Sequence, residues 1–246
     1  MESQIMLNLA ACVLAGLVAY LLGSISFAVI VSRIYAHDDV RKYGSKNAGM
    51  TNILRTYGKL PAFFTLLGDF FKGVLAVLVG RWIFSLMGVT AFDAGYLAGF
   101  FALLGHLYPV FFGFKGGKGV LTSLGIILVV NPLVLLILLI IFLPVLFITR
   151  IVSLVSITGA MLYPFITLIV DLCLRRPVLF DFLFAALFSV IVIYKHRENI
   201  KRLLNGTERR IGDKKPSQEP SEPRKKKRVL HRNLLSNRKE LAKWQR

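Results

Sequence analysis

The stretch VLTSLGIILVVNPLVLLILLIIFLPVLFIT, Val120–Thr149, decides how this chain is counted. It is apolar almost throughout, and too long for one ordinary crossing of a bilayer core, which takes roughly 20 residues in a helix. Asn131-Pro132 breaks it, because proline disfavours a helix interior but suits the first turn of a new helix. Counted as one span or as two, the block changes the side on which everything after it falls. Five further apolar runs surround it: Ile5–Val31, Pro61–Met87, Ala91–Phe112, Val152–Asp171 and Val178–Tyr194. The loop Arg33–Lys59, the loop Gly113–Gly119 and the tail after Tyr194 are all basic. Basic loops stay on the cytoplasmic side, so an even number of spans must lie between Val120 and Tyr194. Splitting the block at Asn131-Pro132 satisfies that condition. The expectation is an all-α integral membrane protein of seven transmembrane helices, N-terminus out and C-terminus cytoplasmic. Val120–Val130 is then a short helix held inside the protein. Arg175 and Arg176 fall on the outer side, against the rule.

Composition agrees with that class. Hydrophobic residues make up 55% of the 246 positions, and mean hydropathy is +0.64. Met1–Leu22 lacks a basic leader, carries Glu2 and runs on apolar to about Val31, so it is read as a retained first span rather than a signal peptide. A net charge of +18, from 31 Lys and Arg against 13 Asp and Glu, points first to orientation and anionic lipid, then to an anionic substrate. Cys12 and Cys173 have no Cys/His spacing around them and are read as packing residues, with no metal and no cofactor implied.

Three polar clusters interrupt the apolar runs. Gly44-Ser-Lys-Asn-Ala-Gly-Met-Thr-Asn-Ile-Leu-Arg55 combines glycines, short hydroxyls, amides, a lysine and an arginine. Backbone amides in such turns form anion sites, and a following helix N-terminus adds its dipole. It is either a phosphate site or a polar connection between spans. Phe112-Gly-Phe-Lys-Gly-Gly-Lys-Gly119 is a second glycine and lysine cluster at a helix start. It is not a Walker A loop: the spacing to Lys118 is short, and Gly119 stands where Ser or Thr would bind magnesium. The third cluster, Lys195–Glu208, follows the last span and puts His196 and Asn199 on one helical face. Asp69 and Lys72, inside the second span and three residues apart, are read as a salt bridge that orients the helix. Arg81 is expected to snorkel to the outer surface.

Several arrangements are absent. No histidine is followed five residues later by aspartate, there is no Gly-x-Ser-x-Gly elbow, and no aspartate cluster would hold magnesium. An enzyme here works without a side-chain triad or metal.

Taken together, Gly23-Ser-Ile-Ser-Phe-Ala28, Gly44–Arg55, Asp69-Phe-Phe-Lys-Gly73, Gly105-His106, Phe114-Lys-Gly-Gly-Lys-Gly-Val120 and His196-Arg-Glu-Asn-Ile-Lys-Arg-Leu203 resemble the bacterial acyl-phosphate:glycerol-3-phosphate acyltransferase family. The likeness covers about Leu21 to Glu208; Lys46 and Ala48 stand where that family more often has glycine, or asparagine and proline. It implies transfer of a fatty acyl group from acyl phosphate to the 1-hydroxyl of sn-glycerol 3-phosphate, giving lysophosphatidic acid and phosphate. It also implies a bacterial cytoplasmic membrane location with the active site facing the cytoplasm. By the same resemblance Ser45, Arg55, Lys118, His196 and Asn199 hold the head group. The backbones at Gly44, Gly49, Gly116, Gly117 and Gly119, with Asn47, Thr51, Asn52 and Lys115, complete the anion pocket. No protein base is obvious in that family, and the donor's own phosphate can take the hydroxyl proton. The residue chemistry agrees, because a mixed anhydride already carries a good leaving group and needs positioning and charge stabilisation.

A transporter for an organophosphate would use similar loops, but it would show internal repeats and polar helices meeting at mid-membrane. Neither is evident. Residues 1–208 are read as the membrane domain and residues 209–246 as a basic tail. Lys214–Pro223 is a linker rich in Pro, Ser and Glu, followed by Arg224-Lys-Lys-Lys-Arg228 and a stripe of Leu230, Leu234, Leu241 and Trp244. That segment is either a basic amphipathic helix on anionic lipid or a solvated tail, with RNA the weaker reading and no nucleic acid partner expected.

Overall fold

In the computed structural model, residues 2–213 are described, and they contain helices and no strand. The tail from Lys214 onward, with its linker and apolar stripe, lies outside the described residues. Helices α1 (Glu2–Gly23) and α2 (Phe27–Ala36) occupy the first apolar run. They are followed by α3 (Met50–Tyr57), α4 (Lys59–Leu86) and α5 (Ala94–Leu107). The deciding stretch forms α6 (Val120–Val130) and α7 (Pro132–Thr149), and then come α8 (Val152–Cys173), α9 (Leu179–Lys195) and α10 (Arg197–Leu204).

The break at Asn131-Pro132 is present. Pro132 sits in the first turn of α7, where a missing N–H costs nothing, and the Asn131 Oδ1 accepts from Val134 N at 3.4 Å. The Asn131 amide also donates to Asp171 Oδ1 on α8 at 3.2 Å, which anchors the turn. Helix α6, only 11 residues long, lies backbone to backbone on α4. A Cβ added at Gly125 would stand 2.1 Å from Phe70 O, and one at Gly73 would stand 2.4 Å from Thr122 O.

Among the described residues, five helical stretches are long and apolar enough to cross a membrane, or six if the bent pair α9 and α10 counts as one span. Their outer faces carry large apolar side chains, including Phe147, Ile148, Trp82 and Phe165, as lipid-facing surfaces do. The first run is not one uninterrupted helix. It breaks at Ser24–Ser26, and Lys72 Nζ on α4 donates to the Ile25 carbonyl set free there, at 2.7 Å. Lys72 also lies 2.8 Å from Asp69 Oδ1, in a contact that is Coulombic rather than an aligned hydrogen bond. His106 Nδ1 on α5 lies 3.6 Å from the same oxygen.

Two expectations are corrected. Arg81 does not snorkel alone: it pairs with Asp93 at the start of α5, Nη2 to Oδ2 at 2.5 Å, and donates to Val129 O at the end of α6 at 3.1 Å. A carboxylate and a free helix-end carbonyl within reach capture it. Cys173 is exposed at the end of α8 rather than packed, and both cysteines are free.

Helices α1 and α5 cross at Gly23 and Gly105, where added methyls would stand 2.1 Å from Ala102 O and 2.2 Å from Tyr20 O. Backbone cannot swing aside as a side chain can. Gly105→Ala should therefore destabilise the protein by about 1–3 kcal/mol, read as a lower thermal midpoint in detergent. Gly159→Ala on α8, whose methyl would meet only Phe142 at an ordinary 3.7 Å, should leave the midpoint near wild type.

Candidate active site

Three segments remote in sequence converge on one cavity of about 130 Å³. The first is the loop ahead of α3. Gly44 takes φ +57°, in the left-handed region, and a Cβ there would stand 2.4 Å from Asn52 Oδ1. Asn52, 2% exposed, holds the loop in shape. Its Oδ1 accepts from Ser45 N at 3.1 Å, and its Nδ2 faces Val40 O, Tyr43 O and Asn47 O at 3.1–3.2 Å. Two N–H groups are shared among three carbonyls, so the polar atoms of Asn52 are committed to the backbone. It shapes the cavity wall and leaves anion contact to its neighbours.

The second segment runs from His106 to Gly119. Gly117 N donates to His106 O at 3.1 Å, and a Cβ on Gly117 would stand 2.2 Å from His106 Nε2 and 2.6 Å from Ala48 O. The second loop is therefore wedged between α5 and the first loop, and only glycine fits. Lys118 follows, and Gly119 leads into α6.

The third segment is the bend between α9 and α10 together with the chain after α10. His196, 2% exposed, has Nδ1 at 2.8 Å from Val192 O. A carbonyl only accepts, so Nδ1 carries a proton and Nε2 is the ring's remaining polar atom. Lys118 Nζ donates to Asn199 Oδ1. Asn199 Nδ2 donates to Glu208 Oε1 at 2.7 Å, as does Ser153 Oγ, and Arg202 Nε donates to Glu208 Oε2 at 2.6 Å. Beyond Glu208 the chain is tied down again: Arg55 Nη2 donates to Arg209 O at 3.0 Å, and Ile211 N donates to Arg150 O at 2.7 Å.

Of the residues picked from sequence, Ser45, Asn47, Gly49, Thr51, Asn52, Arg55, Lys118, Gly119, His196 and Asn199 line the cavity. Gly44, Lys115, Gly116 and Gly117 do not; they shape and seat the loops. Sequence reasoning gave no role to Arg202, Glu208 or Ser153, which also line it. Glu208 had one available signal, as one of only two carboxylates in the basic segment Lys195–Glu208. Ser153, on α8, had none.

The cavity favours anions. The first turns of α3 and α6 open onto it, at Met50, Thr51, Val120 and Leu121, and helix N-termini carry partial positive charge. Lys118, Arg55 and Arg202 add full charges. Burial pushes the Lys118 ammonium down to about 8, and the nearby Arg202 and Arg55 push the same way against Glu208. Burial also works to raise the Glu208 carboxyl, but hydrogen bonds from Ser153, Arg202 and Asn199 outweigh it and hold the group below its ordinary value. Among the described residues no group of three His, Cys, Asp or Glu is arranged to hold a metal ion.

A family model described as glycerol-3-phosphate acyltransferase matches residues 13–206, nearly the whole helical part. The chain belongs to the glycerol-3-phosphate acyltransferase family. The glycerol-3-phosphate acyltransferase of Clostridioides difficile (strain 630) is 47% identical over 203 residues, covering 82% of this chain and 97% of the relative. That of Agrobacterium fabrum is 47% identical over 201 residues, covering 82% and 92%. The crystal structure of PlsY (YgiH), an integral membrane glycerol 3-phosphate acyltransferase, in its glycerol 3-phosphate form superposes with a TM-score of 0.71 at 37% identity, covering 82% of this chain and 96% of that one. Its lysophosphatidic acid form gives 0.68 at 36% identity, covering 82% and 95%. A glycerol-3-phosphate acyltransferase of this kind leaves the transporter reading without support.

Proposed function

We propose that this chain transfers a fatty acyl group from acyl phosphate to the 1-hydroxyl of sn-glycerol 3-phosphate, giving lysophosphatidic acid and inorganic phosphate. The observation that carries the reading is the single cavity where Lys118, Arg55 and Arg202 meet Ser45, His196, Asn199 and two helix N-termini. Such a site suits two phosphates at once. Lys118, Arg55 and the polar side chains hold the glycerol phosphate, while the helix N-termini take the phosphate of the donor. The hydroxyl oxygen attacks the acyl carbon, the carbon–oxygen bond to phosphate breaks, and the hydroxyl proton leaves on the departing phosphate. No covalent intermediate on the protein is needed. The chain contributes orientation and electrostatic stabilisation of the anionic centre. Membership of the family and the names of its relatives support the same assignment.

The site faces the cytoplasm in this proposal, in a bacterial cytoplasmic membrane. Joined α1 and α2, α4, α5, α6, α7, α8 and α9 make seven crossings, with the N-terminus out. Helix α6, at about 1.5 Å per residue, is too short to face lipid along a full crossing and relies on its contact with α4. Residues 1–208 act as the catalytic membrane domain, and residues 209–246 as a basic cytoplasmic tail that touches anionic inner-leaflet lipid.

Purified protein given acyl phosphate and glycerol 3-phosphate should form lysophosphatidic acid. Lys118→Ala and Arg55→Ala should each cut kcat/KM by at least about 10²-fold, and wild-type-like variants would sink the mechanism. In the same assay, deprotonation of Lys118 through about pH 8 removes the ammonium from the empty site. The wild-type KM for glycerol 3-phosphate should climb above that pH by up to about tenfold per unit, and Lys118→Arg should remove the inflection. Sidedness is tested with cysteine-free protein carrying Lys46→Cys or Arg175→Cys. Lys46→Cys should be labelled by an impermeant maleimide from the cytoplasmic side and Arg175→Cys from the outside. The tail as a peptide should cosediment with anionic vesicles at low salt and release at high salt; no affinity at low salt would refute the lipid contact.

A further inference from the structure

The two glycine loops are joined by a side chain that does not line the cavity, Arg41. Its guanidinium reaches in two directions. Toward its own loop, Nε donates to Asp39 Oδ1 at 3.0 Å and Nη2 donates to Asp39 Oδ2 at 2.7 Å, a two-pronged pairing. Toward the second loop, Nη1 donates to Phe112 O at 2.6 Å and to Lys115 O at 2.9 Å. Asp39 is itself fixed, because its Oδ1 also accepts from Arg41 N at 2.9 Å and so caps the short turn Val40–Lys42. The two carbonyls bracket a tight turn in which Gly113 and Phe114 both take positive φ, 67° and 59°, the latter uncommon for a residue with a side chain. Phe112 N and Phe114 N both bond back to Pro109 O, at 3.1 and 2.9 Å. Lys118 stands three residues beyond Lys115, and Ser45 four residues beyond Arg41.

We infer that Arg41, oriented by Asp39, is a positioning residue that sets the spacing between the Ser45 loop and the Lys118 loop through the Phe112 and Lys115 carbonyls. This inference rests on the acyl-transfer reading of the cavity. Arg41 adds no contact to substrate; it fixes where Lys118 stands relative to Ser45 and Arg55. Only a planar fork can hold a carboxylate with one edge and two carbonyls with another, so lysine is no substitute despite its charge. Of the side chain, 20% is exposed, which leaves the guanidinium position reachable by a small cation.

The experiment compares wild type, Arg41→Ala, Arg41→Lys and Asp39→Asn in detergent, measuring kcat and the KM for glycerol 3-phosphate alongside the thermal midpoint. Misplacement by about an ångström at such a site costs about 10²-fold in rate, so Arg41→Ala and Arg41→Lys should both lose kcat/KM on that scale with a midpoint near wild type. Asp39→Asn should lose less, because the fork is still present but unsteadied. Methylguanidinium added to Arg41→Ala should restore part of the lost activity, and methylammonium should not. Activity of Arg41→Lys within twofold of wild type would overturn the inference. So would a loss in Arg41→Ala that tracks a fallen midpoint and resists rescue, since that marks a role in folding only. Should Arg41→Ala fail to fold, Arg41→Lys and Asp39→Asn decide. The wild-type turnover measured beside them keeps the two readings apart: no product from wild type sinks the acyl-transfer reading, whereas an active wild type with an active Arg41→Lys sinks only this one.

Discussion

Lys72 holds this architecture at its centre. An ammonium buried to 4% exposure inside a membrane helix is tolerable only with partners, and it has two: the Asp69 carboxylate one turn away and the Ile25 carbonyl left free where α1 gives way to α2. The break in the first run and the charge in the second are therefore each other's solution. Asp69 in turn lies beside His106, whose carbonyl and ring seat Gly116 and Gly117. A line of polar contacts thus runs from the first helical break to the loop that carries Lys118. Loss of one partner would leave a buried charge unmatched, the costliest kind of single change in such a setting.

Much of the fold was legible because membrane helices announce themselves. Length and apolarity alone mark α4, α7 and α8, and a single asparagine-proline pair marks the junction of α6 and α7. What stayed hidden was set by tertiary partners. Nothing in Gly23-Ser-Ile-Ser-Phe-Ala28 requires the helix to stop; the carbonyl at Ile25 is freed because a lysine 47 residues away is there to receive it. Arg81 likewise looked like a surface-seeking side chain until Asp93 and the end of α6 came within reach.

The site divides in the same way. Glycines, lysines and amides between apolar runs pointed to Ser45, Arg55, Lys118, His196 and Asn199, and all five line one cavity. Sequence reasoning also picked Asn47, Thr51, Asn52, Lys115 and the loop glycines as contacts of the anion pocket. Geometry separates those with polar atoms left to meet a ligand from those, such as Asn52 and Gly117, that hold the loops in shape. Ser153 was invisible because a lone serine in an apolar helix has no local signature; Glu208 makes it part of the site.

The chain Lys118–Asn199–Glu208 also has a consequence for how the protein comes into being. Its first link joins residues 81 apart, and its last lies beyond every span. A growing chain can therefore place all of its apolar helices in the bilayer while the cavity still lacks its third wall. Inserting the spans does not by itself complete the cavity. Its third wall also needs the segment up to Ile211 to lie against Arg150 and Arg55.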